Sequence, residues 1–273
     1  MADRIVDAHT HAWTHEEVIA WETGGPPDAE QIVYTADDVR DDMDRLGAER
    51  ACLVATPIHG TGSPYTRRVV AAHPEEFYGV LWLDYLADDV AERVHEALEI
   101  DNVLGFRFYV EEGGEWLTSD ALDPFWEALA AHDAPQVQFL LRPELLEDVA
   151  TLAGEHPGVT FVVDHVGQPV PGEDPADAPP WAAIRDVAAH SNTYVKLTHT
   201  SSDAVYPFSD LHPYARVLLE AFGSERLLWG SDFIYHFKEA TPWETLHFLD
   251  EMSFLSTGDR RDLLHRTFES MLP

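Results

Sequence analysis

DAHTHAW, residues Asp7–Trp13, follows the short run Arg4-Ile5-Val6 near the start of the chain. An apolar lead into a polar and aromatic end reads as a β-strand. Strand side chains alternate between faces. Asp7, His9, His11 and Trp13 are therefore expected on one face, and Ala8, Thr10 and Ala12 on the other. Two imidazoles side by side can hold a metal ion, or they can be a polar pair at a strand end. The rest of the chain has to decide.

Seven further runs of apolar, β-branched or aromatic residues follow: Ala51 to Pro57, Phe77 to Asp84, Val103 to Val110, Val137 to Arg142, Val159 to Gly167, Thr193 to Thr200 and Leu227 to Phe233. Counting Ile5 to Trp13, that makes eight. Most are too short and too continuously apolar for amphipathic helices, and read as strands buried on both sides. Helical patterns lie between them. Thr35 caps one, with Val39, Met43 and Leu46 at helical spacing. Others are Asp88 to Leu98, Asp120 to His132, Pro143 to Leu152, Trp181 to Ala189, Pro213 to Phe222 and Trp243 to Met252, with Asp259 to Met271 closing the chain.

Strand–helix alternation of this length predicts one (β/α)8 TIM barrel over residues 1–273, a single domain. The alternative, a doubly wound sheet, ordinarily brings a Gly-rich phosphate loop after its first strand. That place holds His-Thr-His here. The Pro-, Gly- and acid-rich segments Glu22 to Glu30 and Gln168 to Pro180 each follow a strand, and are expected to be loops over the active-site face.

Composition narrows the function. No apolar run approaches the roughly 20 residues of a membrane span, and no basic, apolar leader opens the chain. A cytoplasmic protein is expected. Cys52, the only cysteine, sits in Ala-Cys-Leu-Val and reads as a buried thiol. Seventeen basic residues against fifty acidic ones give a net charge of −33, and only Lys196 and Lys238 are lysines. Carboxylates spread along the whole chain would repel one another unless counterions screen them, so adaptation to a salt-rich cytoplasm is expected. Nucleic acid and anionic membrane are excluded as partners, since both require a basic footprint. A small-molecule substrate fits the composition, and homo-oligomerisation stays open.

In a barrel of this kind the C-terminal strand ends converge on one cup. They would carry His9 and His11 from the first strand, Arg107 and Tyr109 from the fourth and Asp164-His165 from the sixth. Lys196 and His199 would come from the seventh, and Asp232 from the eighth. Three histidines and an aspartate are ligand types for a zinc-like ion. Each has a plainer reading. A lone strand histidine is ordinarily structural, His165 can cap the turn after it, and Arg107 between Phe106 and Phe108 can be an interior salt bridge. The His-x-His spacing, and an aspartate in an otherwise apolar strand, tip the balance toward a site.

DAHTHAW, GFRF, LLRPELLEDVATLAGEHPGVTFVVDHVGQP, YVKLT and AFGSERLLWGSDF, in that order, resemble the amidohydrolase superfamily. The similarity is to its amidohydrolase-related branch, which includes sugar lactonases and pyrone-dicarboxylate lactonase. The resemblance implies a (β/α)8 barrel and a metal-assisted hydrolase of a lactone or related ester. His9, His11, His165 and Asp232 would hold one divalent ion, zinc first, with manganese or no metal as alternatives. Asp232 would be the general base and His165 the group that polarises the carbonyl. Arg107, Lys196, Tyr109 and His199 would bind substrate. The fifth strand, QVQFLLRP, lacks the lysine or histidine that bridges two metals in many members, so one ion is the most expected. The chain departs from common relatives at Lys196-Leu197-Thr198-His199 and at Asp232-Phe233-Ile234-Tyr235, which leaves the substrate open. Non-oxidative decarboxylation of an aromatic or unsaturated acid is the main alternative. An amidase or deaminase, and a non-catalytic ligand-binding barrel, complete the set.

Overall fold

The computed structural model describes residues 4–14, 16, 33–57, 60–110, 114–170, 172–175, 178–234 and 240–273. The expected loop Glu22 to Glu30 lies outside the described residues, as do His15, His59, His236 and Lys238. The eight strands are β1 Val6–Thr10, β2 Arg50–Val54, β3 Phe77–Leu81, β4 Val103–Val110, β5 Gln136–Leu141, β6 Thr160–Val163, β7 Thr193–Leu197 and β8 Leu227–Trp229. They pair in parallel and in chain order. A doubly wound sheet reverses its strand order, so the topology is that of the barrel.

The helices α1 Ala36–Leu46, α2 Pro64–Ala72, α3 Val90–Leu98, α4 Asp123–Leu129, α5 Leu146–Glu155, α6 Ile184–Ala188, α7 His212–Phe222 and α8 Pro242–Glu251 each follow one strand. The sequence reading missed α2, whose buried side is only Thr66, Val69 and Val70 beside two arginines. Thr35 forms the expected cap of α1, in a reciprocal capping box with Asp38. The last predicted helix is broken into α9 Thr257–Arg261, a π-turn Asp262–Arg266 and α10 Thr267–Ser270. Among the described residues, no helix is long and apolar enough to cross a membrane.

Two apolar layers result. One lies between sheet and helices and contains Leu53, Phe77, Phe106, Phe139, Phe161 and Trp229. The other fills the barrel with Val6, Ala8, Cys52, Val54, Val80, Leu104, Val162 and Leu228, and is closed below by Phe268 and Met271. Cys52 has no exposed surface. Burial pushes its thiol up to about 12, so it is an unreactive packing group.

Two bulges correct the simple alternation. Asp7 pairs with Ala51 and Thr10 with Leu53, so three steps on β1 meet two on β2. Val80 likewise pairs with Gly105 while Gly79 pairs with Val103. An extra residue flips the face of everything beyond it. His9 and His11 do share the inner side, but Asp7 does not join them. A Cβ on Gly105 would lie 1.9 Å from the Gln136 carbonyl oxygen, so only glycine allows this approach of β4 to β5.

Asp7 instead closes the barrel between β8 and β1. Its Oδ1 accepts the Ser231 N–H (2.9 Å) and the His9 N–H (3.1 Å), and its Oδ2 accepts the Ser231 hydroxyl (2.6 Å). Burial pushes the Asp7 carboxyl up to about 6 against these three donors. Backbone bonds complete the seam, from Asp232 N–H to His9 O (2.7 Å) and from His11 N–H to Phe233 O (3.2 Å). A Cβ on Gly230 would stand 2.5 Å from the Cβ of His9, so glycine is required where the two strands meet.

Candidate active site

Every regular strand except β4 stops short of its predicted run, because the last residues turn into the cup. His165 and Asp232, each on the turn leaving its strand, have φ near 50°. That left-handed backbone costs a non-glycine residue on the order of 1 kcal/mol and is concentrated at functional sites. His9, His11, Arg107, His165, Lys196 and Asp232 are all buried, and all meet at this end of the barrel. Tyr109 is half-buried, its ring centroid 5.9 Å from the Arg107 guanidinium carbon. His199 is buried on the turn after β7, its ring 5.0 Å from that of Phe208.

Asp164, which sequence reasoning noted at the end of β6 without giving it a role, is the hub. Its Oδ2 accepts Arg107 Nε–H (2.8 Å), and its Oδ1 lies 3.1 Å from Lys196 Nζ and 3.4 Å from His9 Nδ1. Burial pushes this carboxyl up, but Lys196, then Arg107 and His9, outweigh it and hold it well below the usual carboxylate range. Lys196 also donates to Gln138 Oε1 and to His9 Nδ1 (2.8 Å). Arg107 donates through Nη2 to His165 Nε2 (3.2 Å). Arginine only donates, so Nε2 of His165 is the acceptor and its ring proton sits on Nδ1. That nitrogen lies 2.9 Å from Thr198 Oγ1, 2.8 Å from Thr200 Oγ1 and 3.9 Å from Asp232 Oδ2. Burial pulls His165 down to about 3, so it is neutral at physiological pH. Arg107 and Lys196 thus direct these donors inward, at Asp164 and two imidazoles.

At the β1–β8 seam, Asp232 Oδ1 lies 2.8 Å from His11 Nε2 and 3.3 Å from His9 Nε2. Burial pushes Asp232 up, but His165, His11 and His9 hold it well below the usual carboxylate range. His11 Nδ1 lies 2.6 Å from the Val54 carbonyl oxygen, which can only accept. The ring proton is therefore on Nδ1, and burial, pulling His11 down to about 4, denies it a second one. Nε2 then presents a lone pair to an ionised carboxylate at 2.8 Å, an arrangement that a cation makes favourable. His9 Nε2 has no hydrogen-bond partner among the described residues. His9, His11 and Asp232 offer ligand atoms within 4.8 Å of one another, and this N,N,O set suits a divalent ion. A second cluster, His9, Asp164 and His165, shares His9 with the first. Side-chain cations are already bonded to all three of its members.

The parallel (β/α)8 barrel thus brings two imidazoles at the end of β1 and a carboxylate after β8 to its C-terminal mouth, where enzymes of this fold carry their active sites. The chain belongs to the amidohydrolase family, whose model matches residues 6–271. It is 26% identical over 237 residues to an L-fucono-1,5-lactonase of Burkholderia ambifaria, covering 84% of this chain and 79% of that one. It is also 26% identical over 268 residues to a 4-sulfomuconolactone hydrolase of Rhizobium radiobacter, covering 95% and 82%. A crystal structure of an amidohydrolase from Burkholderia multivorans with bound zinc superposes with a TM-score of 0.81 at 23% identity, covering 98% and 99%. The expected superfamily and fold are therefore both found, and the chain is an enzyme of hydrolase type.

Proposed function

We propose that this enzyme hydrolyses the ester bond of a small lactone, with Asp232 as the general base. The observation that carries the reading is the Asp232 carboxylate, kept ionised among three imidazoles at the mouth of the barrel. Two relatives that share most of the chain are named for lactone hydrolysis, which supports the substrate class.

His9, His11 and Asp232 are the residues that would hold a divalent ion, zinc before manganese, and His165 lies beside them. Such an ion lowers the pKa of water from about 15.7 to about 7. Asp232, held well below the usual carboxylate range, is a weak base, and a more acidic water would narrow the gap it faces. Asp232 accepts the proton of the attacking water as the water oxygen bonds to the lactone carbonyl carbon. His165 would support the developing oxyanion as a neutral donor by turning its one N–H from Thr198 and Thr200 to the carbonyl oxygen. The ring C–O bond then breaks, and Asp232 returns the proton to the leaving alkoxide.

Decarboxylation is less well supported, because β5 brings Gln138 to the cluster, already engaged by Lys196, and no imidazole. The net charge of −33 supports a cytoplasmic enzyme adapted to high salt. In a lactone screen in molar KCl, Asp232→Asn is expected to lose about 10²–10⁴-fold in rate while its circular dichroism is unchanged. A folded Asp232→Asn enzyme with wild-type turnover refutes the assignment.

A further inference from the structure

Lys196 is one of two lysines in the chain, is 1% exposed, and sits in β7 between Val195 and Leu197. A buried ammonium is costly unless all its protons are accepted. Here Nζ bonds to two acceptors, His9 Nδ1 and Gln138 Oε1, and Asp164 Oδ1 stands 3.1 Å away as its counterion. An ammonium beside an ionised carboxylate donates and has no lone pair, so the direction of both bonds is fixed. His9 Nδ1 is an acceptor, and the single proton of its neutral ring is on Nε2, the nitrogen facing Asp232.

This is the wrong tautomer for a ligand. A metal-binding imidazole ordinarily donates its other N–H to a carboxylate or carbonyl. His11 follows that rule, with Nδ1 on the Val54 carbonyl. For His9 the matching acceptor is present, since Asp164 Oδ1 lies 3.4 Å from Nδ1. Lys196 donates to His9 Nδ1, is the ion-pair partner of Asp164 Oδ1, and stands in the way of the contact.

We propose that Lys196 is a positioning residue that competes with the divalent ion: its ammonium holds His9 in the tautomer that does not ligate, and so sets how tightly the enzyme binds metal. The inference rests on the reading that His9, His11 and Asp232 take a divalent ion, and it does not depend on the substrate. Without the ammonium, His9 Nδ1–H can turn to Asp164, and Nε2 offers its lone pair to the ion.

Two measurements on the full chain test this. Equilibrium dialysis against zinc, followed by elemental analysis, compares wild type with Lys196→Met. The variant is expected to bind zinc 10–100-fold more tightly, the range over which such supporting contacts act. Long-range ¹H–¹⁵N correlation of the histidine rings in chelator-treated wild type is expected to show His9 protonated on Nε2, and this holds the test open if the variant does not fold. In folded Lys196→Met the His9 proton is expected on Nδ1. Equal or weaker zinc binding by the variant overturns the proposal, as does a His9 proton on Nδ1 in the wild type. Tighter binding with an unchanged His9 tautomer also overturns it, because Lys196 would then act only as a charge. Zinc binding by neither protein sinks this inference and the metal reading together, whereas an absence of lactone turnover leaves the inference standing.

Discussion

Replacing Asp164 by asparagine keeps the shape of the hub and removes its charge. Two buried cations then lose their counterion at once. Arg107 and Lys196 are 2% and 1% exposed, so solvent screens neither. Removing one partner of a buried ion pair costs about 3–5 kcal/mol, because the remaining charge is left uncompensated. The unfolding entropy of a chain of 273 residues is roughly 0.6 kcal/mol/K near its melting point, so the expected drop in melting temperature is about 5–9 °C. The assay is thermal unfolding followed by circular dichroism in molar KCl. Asp164→Asn with Lys196→Met should melt above Asp164→Asn alone, since one of the stranded cations is gone. Disrupting the exposed pair of Arg93 and Asp89 (2.7 Å) on α3 should leave the melting temperature where it was. An Asp164→Asn protein that melts within a degree of wild type would refute the argument that these charges form one buried unit.

Gly230→Ala should lower stability and hydrolysis together, because its Cβ would stand 2.5 Å from that of His9 at the seam; unchanged melting and turnover would show that the strands can part there freely. Asp164 and Asp232 have folded pKa values well below 3.8, so their stabilisation is complete above that pH and is lost as the pH falls through the folded values. Asp7 runs the other way, its raised pKa favouring the fold below 3.8 and costing stability as the pH rises to about 6. Urea titrations from pH 2 to 7 should therefore show a steep acid limb. Melting temperature should rise with KCl from millimolar to molar concentrations as the acidic surface is screened, and a flat response would remove the salt-adaptation reading.

The sequence by itself determined the barrel and the composition of its mouth. Alternating apolar runs and helical stripes are local signals, and eight runs in order, seven of them followed by a helical stripe, point to one architecture. The motif DAHTHAW placed His9 and His11 together because two residues along a strand are near neighbours whichever way the strand faces. Only the tertiary structure decided that Asp7 belongs to the seam, since a bulge is set by the pairing of β1 with β2 and leaves no mark in strand periodicity. Only the tertiary structure, too, made Asp164 the hub. Its bond to Arg107 spans 57 residues, and that between Lys196 and His9 spans 187. A sequence shows which charges exist. In a dry interior, what each one does depends on its distance to the others, and that distance is fixed only when the barrel closes.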